Sequence, residues 1–289
     1  MRYEAPTSVE EAVALLVAEP DSRVFAGATD LIPQLRAGRP EPSVVIDLKG
    51  IAPLTGVGRT DGLWAVGAAT PTARITEEAG FGADFPGISE ASGLIGSDQI
   101  QSRASLGGNL CNASPAADTI PALVVNDARV VIASPDGTRE IPVADVTTGP
   151  GATSLAPHEL VVEFRIDVPP PRTADAYLRF IPRTEMDIAV VGAAARITLD
   201  AEGTCTDAAI ALGAVAPTVV RVPDAEAALV GETLGDEVLA SVAAAASEAC
   251  DPIDDKRGTA DFRRRVAGVL AKRAVQRAWA RADERGDGT

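Results

Sequence analysis

The residues with the clearest chemical meaning lie between Ser102 and Asp118, a stretch reading Ser-Arg-Ala-Ser-Leu-Gly-Gly-Asn-Leu-Cys-Asn-Ala-Ser-Pro-Ala-Ala-Asp. The Gly107-Gly108 pair has no Cβ to hold a ligand away from its backbone, and Ser105, Asn109, Asn112 and Asp118 place polar groups close by. A second glycine-bearing element, Ala26-Gly27-Ala28-Thr29-Asp30, lies about eighty residues upstream. Two such elements suit a dinucleotide. With few basic residues nearby, its pyrophosphate would be held by backbone N–H groups, assisted by Ser105, Asn109 and Thr29. Asp30 would repel a phosphate that it faced, so capping or holding the loop suits it better.

Other glycine and acidic clusters carry less. Gly56-Val57-Gly58-Arg59-Thr60-Asp61-Gly62 misses the Rossmann spacing, because Asp61 stands where the third glycine belongs and a strand follows where a helix is required. It reads as a hairpin turn. There is no Walker-type Gly-Lys-Ser/Thr. Asp251, Asp254 and Asp255 lack the calcium-loop spacing and read as a turn leading into a helix.

Composition narrows the function further. The 26 basic and 41 acidic residues give a net charge of -15, which argues against a nucleic-acid or anionic-membrane binder. Cys111, Cys205 and Cys250 are far apart and odd in number, as expected in a reducing compartment. They are too few for an iron–sulfur cluster, and the single histidine, His158, makes a zinc enzyme or a hydrolytic triad improbable. No charged-then-apolar leader opens the chain and no apolar run reaches the roughly 20 residues of a membrane span, so a cytoplasmic protein without membrane insertion is expected.

The elements that must position the two glycine loops follow from periodicity. Two short β-α units open the chain: Arg2 to Ala5 extended, a helix from Ser8 to Ala18 with Ser8 and Glu11 as a capping box, a strand from Arg23 to Ala26, a helix to about Ala37, and a strand from Ser43 to Asp47. A strand follows at Leu63 to Gly67, a mostly helical pattern interrupted by Gly80, Gly82, Pro86 and Gly87 runs from Thr70 to Leu94, and a short helix spans Asp118 to Asn126. Pro135-Asp136-Gly137 turns a hairpin between Ala128–Ser134 and Thr138–Ile141, and Glu159 to Val168 forms another strand. Pro169-Pro170-Pro171 marks a boundary. Beyond it, three strands (Ala176–Pro182, Ala189–Leu199, Thr204–Gly213) precede helices at Asp224–Val230, Asp236–Glu248 and Thr259–Ala282. That order predicts an α+β domain with helices on one sheet face. Ten basic against three acidic residues between Lys256 and Arg285 make the last helix locally positive, either a solvated face or a docking surface for a partner subunit.

Taken together, Ala-Gly-Ala-Thr-Asp at 26–30, Ser-Leu-Gly-Gly-Asn at 105–109, Ala-Ser-Pro-Ala-Ala-Asp at 113–118 and Arg-Thr-Glu-Met-Asp-Ile-Ala at 183–189 resemble the FAD-binding medium subunit of the molybdenum hydroxylases, the xanthine dehydrogenase and carbon monoxide dehydrogenase family. The resemblance spans nearly the whole chain. It implies an α+β fold: a two-subdomain FAD-binding domain of the vanillyl-alcohol oxidase/MurB type over residues 1–170 (subdomains about 1–55 and 56–170), then a C-terminal domain over 171–289 with a three-stranded sheet packed with helices. It also implies non-covalent FAD, with Ala26, Gly27, Ala28, Thr29, Asp30 and Leu31, together with Ser105, Gly107, Gly108 and Asn109, around the pyrophosphate. Cys111 and Asp118 would lie nearer the ribityl chain and flavin ring, and Ile95 beside the ring. Ala28 departs from the glycine that many members carry, and its Cβ disfavours a positive φ.

By the same resemblance the chain contributes no catalytic base and no metal ligand. It would relay electrons from iron–sulfur clusters on a small subunit, fed by a large subunit carrying the molybdenum cofactor, through FAD to an external acceptor. A stand-alone flavin oxidoreductase of related fold and a scaffold that has lost FAD remain as alternatives. Tyr177, Phe180 and Trp64 could stack on a flavin, but core packing is the commoner fate of such aromatics.

Overall fold

The computed structural model describes residues 1–286. The chain first builds a three-stranded parallel sheet, Arg2–Glu4, Val44–Asp47 and Ser22–Phe25 in spatial order, with helices Val9–Ala18 and Leu31–Arg36 as its crossovers. Ser8 caps the first helix by accepting from the Glu11 N–H, and Ala12, Val13 and Leu16 turn inward, as helical spacing requires.

A five-stranded antiparallel sheet follows, in the order Val57–Thr60, Leu63–Gly67, Leu160–Asp167, Arg129–Ser134, Gly137–Pro142. The stretch expected to be one hairpin turn is narrower than that. Val57–Thr60 is a strand, and the turn proper is Asp61-Gly62, at φ 49° and 80°. In sequence, a long helical insertion between Leu63–Gly67 and Arg129–Ser134 carries the second glycine element. The interrupted helical stretch is three helices, Thr72–Glu77, Ala79–Asp84 and Pro86–Gly93, with breaks at Glu78 and at Phe85 before Pro86, while Gly80 and Gly82 stay helical.

The third layer is an antiparallel meander, Thr173–Phe180, Val191–Leu199 and Cys205–Gly213, to which the two-residue strand Val220–Arg221 adds an edge beyond the three strands expected. Its central strand does not alternate: Val191 to Ala195 are all buried. Both faces of the sheet are covered, which removes the polar face that alternation needs. Ala193, Ala195 and Ile197 pack with the long helix Ala260–Glu284, whereas Ala194, Ala209 and Ala211 join the core of the preceding domain, against helix Thr119–Val125. The long helix presents Ala267, Ala271, Ala274, Ala278 and Ala282, a stripe of small residues that lets it lie close on the sheet.

A buried polar seam joins this layer to the rest. Asp175 accepts from the Gly87 N–H (2.8 Å) and Asn126 Nδ2 (2.7 Å). Burial pushes its pKa up to about 6, so its contribution to stability is largest below the ordinary carboxylate pKa and fades as pH rises through about 6. Glu90 accepts from Arg277 (3.2 Å), Arg281 (2.5 Å) and the Tyr177 N–H (3.0 Å), and Arg285 donates to the Thr173 and Ala83 carbonyls. The positive charge of the last helix is therefore partly spent inside the molecule. Arg277, Arg281 and Arg285, four residues apart, bind the preceding domain, while among the described residues Arg265, Lys272 and Arg273 form no ion pair. No helix among the described residues is long and apolar enough to cross a membrane.

Candidate functional site

The first glycine loop leaves the C-terminal end of strand Ser22–Phe25 and enters helix Leu31–Arg36. Gly27 lies against the backbone of Arg103 and Ala104, so close that a Cβ would overlap the Arg103 carbonyl. Ala28 does adopt the left-handed region, at φ 56°. The N–H groups of Gly27, Ala28, Thr29, Asp30 and Leu31 have no hydrogen-bond acceptor among the described residues. Successive free N–H groups on a tightly curved loop form a concave site for anionic oxygens. Asp30 stands at the helix N-cap position without a side-chain capping bond.

The loop is buttressed from behind. Lys49 Nζ donates to the Ala26 carbonyl (2.9 Å) and Asp47 Oδ1 (2.7 Å), and sits 4.5 Å from the centre of the Phe25 ring. Burial works to raise the Asp47 pKa, but hydrogen bonds from Lys49 and Tyr3 outweigh it and hold the carboxylate below its usual range.

The second glycine element is a helix rather than a loop: Leu106–Cys111, with Ser105 as N-cap accepting from the Gly108 N–H at 3.1 Å. Two glycines in its first turn lower helix propensity enough to hide it from the pattern. Gly107 packs on Ala68, where a Cβ would come within 2.6 Å of the carbonyl oxygen that accepts the Gly107 N–H. Neither glycine N–H is therefore free. Their N–H groups are taken within the chain, and the missing Cβ of Gly107 lets the second helix seat on Ala68.

Between the walls lies a cleft of about 360 Å³. It is lined by Ala26, Gly27, Ala28, Thr29, Asp30, Leu31, Ile95, Ser105, Gly107, Gly108, Asn109 and Cys111. Asp118 is not on its walls. That carboxylate is buried behind the second helix, accepting from Tyr177 Oη (2.8 Å) and Arg179 Nη1 (2.7 Å), and burial outweighs the Arg179 charge to raise its pKa. Asn109 Oδ1 accepts from Thr119 Oγ1 (2.6 Å), which leaves its amide nitrogen without an acceptor among the described residues. Cys111 opens onto the cleft, and desolvation raises its thiol pKa, so it stands there as a neutral thiol.

Several lining residues had no signal in the sequence. Arg23, Gln34 and Arg39 bring polar and cationic groups to the rim, and a third wall runs from Thr153 to Val161 with Leu155, Pro157 and Glu159 on the cleft. Its first part, Thr153 to His158, has no glycine and no periodic pattern to mark it, and Glu159 to Val161 reads in sequence only as the start of a strand. His158, flanked by cleft residues, is not itself on the wall. Tyr177 and Trp64 are core residues, and Phe180 packs edge-on against Phe262; Phe25 is the aromatic that reaches the cleft.

Comparison with known proteins covers both halves of the chain. Residues 1–171 match the family described as the FAD binding domain in molybdopterin dehydrogenase, and residues 176–278 match the CO dehydrogenase flavoprotein C-terminal domain. The carbon monoxide dehydrogenase medium chain of Afipia carboxidovorans is 35% identical over 97% of this chain and 97% of its own length. The xanthine dehydrogenase FAD-binding subunit of Escherichia coli O157:H7 is 29% identical over 97% of this chain and 96% of its own. A solved structure of carbon monoxide dehydrogenase from Hydrogenophaga pseudoflava, lacking the Mo-pyranopterin moiety of its molybdenum cofactor, superposes with a TM-score of 0.93 at 33% identity, over 97% of this chain and 98% of that one.

Proposed function

The chain belongs to the FAD-binding medium subunits of the molybdenum hydroxylases, and we propose that it holds FAD non-covalently in the cleft and relays electrons from a partner's iron–sulfur clusters to an external acceptor. The observation that carries this reading is the run of five free N–H groups at residues 27–31 facing the cleft. Such a nest fits a diphosphate in a protein of net charge -15, since it supplies positive potential without a cationic pocket. Bound FAD supplies the electron acceptor that these side chains lack.

The chain's own residues bind and orient. Residues 27–31 donate to the diphosphate, and Lys49 fixes the loop by holding the Ala26 carbonyl. Ile95 and Phe25, with Leu155 and Val161, give the cleft its apolar surface. Asp118, at the N-cap position of helix Thr119–Val125, acts one layer back, tying that helix to Tyr177 and Arg179. The partners implied are a large subunit with the molybdenum cofactor and a small subunit with the iron–sulfur clusters, and the organic substrate would be recognised by the large one. Three unpaired cysteines support a cytoplasmic location. Residues 1–170 and 171–289 are read as the FAD-binding and C-terminal domains, the last three residues lying outside those described.

The test is direct. The purified full-length chain should carry a flavin absorption spectrum, and acid release should yield free FAD. A colourless chain that stays colourless with added FAD would falsify the flavoprotein reading. Co-expression with neighbouring reading frames should recover a larger complex containing molybdenum and iron.

A further inference from the structure

The cleft walls come from two separately built units, the parallel three-stranded sheet and the antiparallel sheet with its helical insertion. Among the described residues, one side chain–side chain hydrogen bond joins residues 1–55 to residues 56–170. It runs from Gln34 Nε2 to Asn112 Oδ1, at 2.9 Å across 78 positions of sequence. No ion pair crosses the same divide among the described residues. The bond does not stand alone, because Arg39 donates to Gln34 Oε1 and so fixes the amide with its nitrogen toward Asn112.

The position of this chain of three residues gives it a role. Gln34 lies one helical turn beyond the free N–H groups, its own N–H bonded to the Asp30 carbonyl; Asn112 lies one turn beyond Gly108, with its N–H on the Gly108 carbonyl. Each partner therefore sits on the short helix that continues one glycine element. The cleft and the shallow depression of about 450 Å³ beside it share Gln34, Arg39, Cys111 and Asn112, which places the bond where the two openings meet. The same two walls also meet where Gly27 packs on the Arg103 backbone, a contact without a side-chain hydrogen bond.

We infer that Gln34 and Asn112, oriented by Arg39, are a positioning pair that sets the spacing of the two cleft walls and thereby slows cofactor escape. The pair works through the walls, so it governs how long FAD stays without touching its redox chemistry. This rests on the FAD reading above.

The experiment measures FAD dissociation from the chain by stopped-flow fluorescence after dilution into an excess of an FAD-specific apo-oxidase as a trap. Gln34→Ala and Asn112→Ala should each speed release about fivefold to tenfold, the effect of one lost hydrogen bond in a bound state. The double variant should release FAD no faster than either single one. Exchanging the pair, Gln34→Asn with Asn112→Gln, keeps the summed reach of the two side chains and should restore slow release. The apo-proteins should stay folded, with thermal midpoints lowered by no more than a few degrees, which separates positioning from loss of fold. Unaltered release in Gln34→Ala, or additive effects in the double variant, would overturn the pairing while leaving the flavoprotein reading intact. A wild-type chain that takes up no FAD would overturn both.

Discussion

The two glycine elements face each other across one cleft and use the same residue for opposite ends. In the first, Gly27 lets the loop press against Arg103, and the next four residues join it in turning outward N–H groups that have no acceptor among the described residues. In the second, Gly107 and Gly108 spend their N–H groups on Ala68 and Ser105, and the missing Cβ of Gly107 allows the helix to seat on Ala68. On the proposed function, the first element binds and the second approaches. A glycine in a binding motif thus need not donate to the ligand; it can serve by letting another backbone come near.

Substitutions can break or sharpen this contrast. The largest effect is expected at Gly27, where an Ala Cβ would overlap backbone that cannot move alone. Gly27→Ala should cost about 3 kcal/mol of stability and abolish FAD retention, as read by thermal melting and flavin content. Gly108→Leu should separate the two losses. Its Cβ meets only Ser105 Oγ, at 3.3 Å, and the residue is exposed on the cleft wall. Stability should change by less than about 1 kcal/mol, while FAD affinity falls on the order of 100-fold, or about 2.7 kcal/mol, in fluorescence titration. If both variants lose fold and flavin together, the division between binding and approach is wrong.

Smaller effects refine the first element. Lys49→Met removes the charge-assisted bond to the Ala26 carbonyl and should weaken FAD about tenfold, with the second helix unaffected in hydrogen exchange. Ala28→Gly relieves a left-handed alanine, worth roughly 1 kcal/mol, against the added freedom of glycine in the unfolded chain, roughly 0.5 kcal/mol. A net gain of about 0.5 kcal/mol in denaturant unfolding is expected, and a loss would show that the loop is not strained at Ala28.

Much of the scaffold was legible because it repeats a local pattern. Helix Asp236–Glu248 was read to the residue, and strands such as Val44–Asp47 and Val191–Leu199 to within two residues, from period and turn residues alone. Helix Leu106–Cys111 was not, because its glycines argue against a helix, and it is held by the Ser105 cap, the Ala68 contact and the burial of Leu106 and Leu110 in the core. Asp118 looked like a ligand-facing acid by its nearness in sequence to Gly108. The chain between them turns it away, into a pair with Arg179 from the next domain.

By itself, the sequence determined that two glycine elements exist, that neither is a Rossmann or Walker loop, and that the family resemblance runs through both domains. These are matters of spacing, and spacing is written along the chain. Only the tertiary structure decided which N–H groups remain free, that Thr153 to Val161 forms a third wall, and that Gln34 reaches Asn112. A hydrogen-bond donor is free or taken according to what lies within about 3 Å of it, and at separations of 78 residues that neighbour is chosen by the packing of whole sheets.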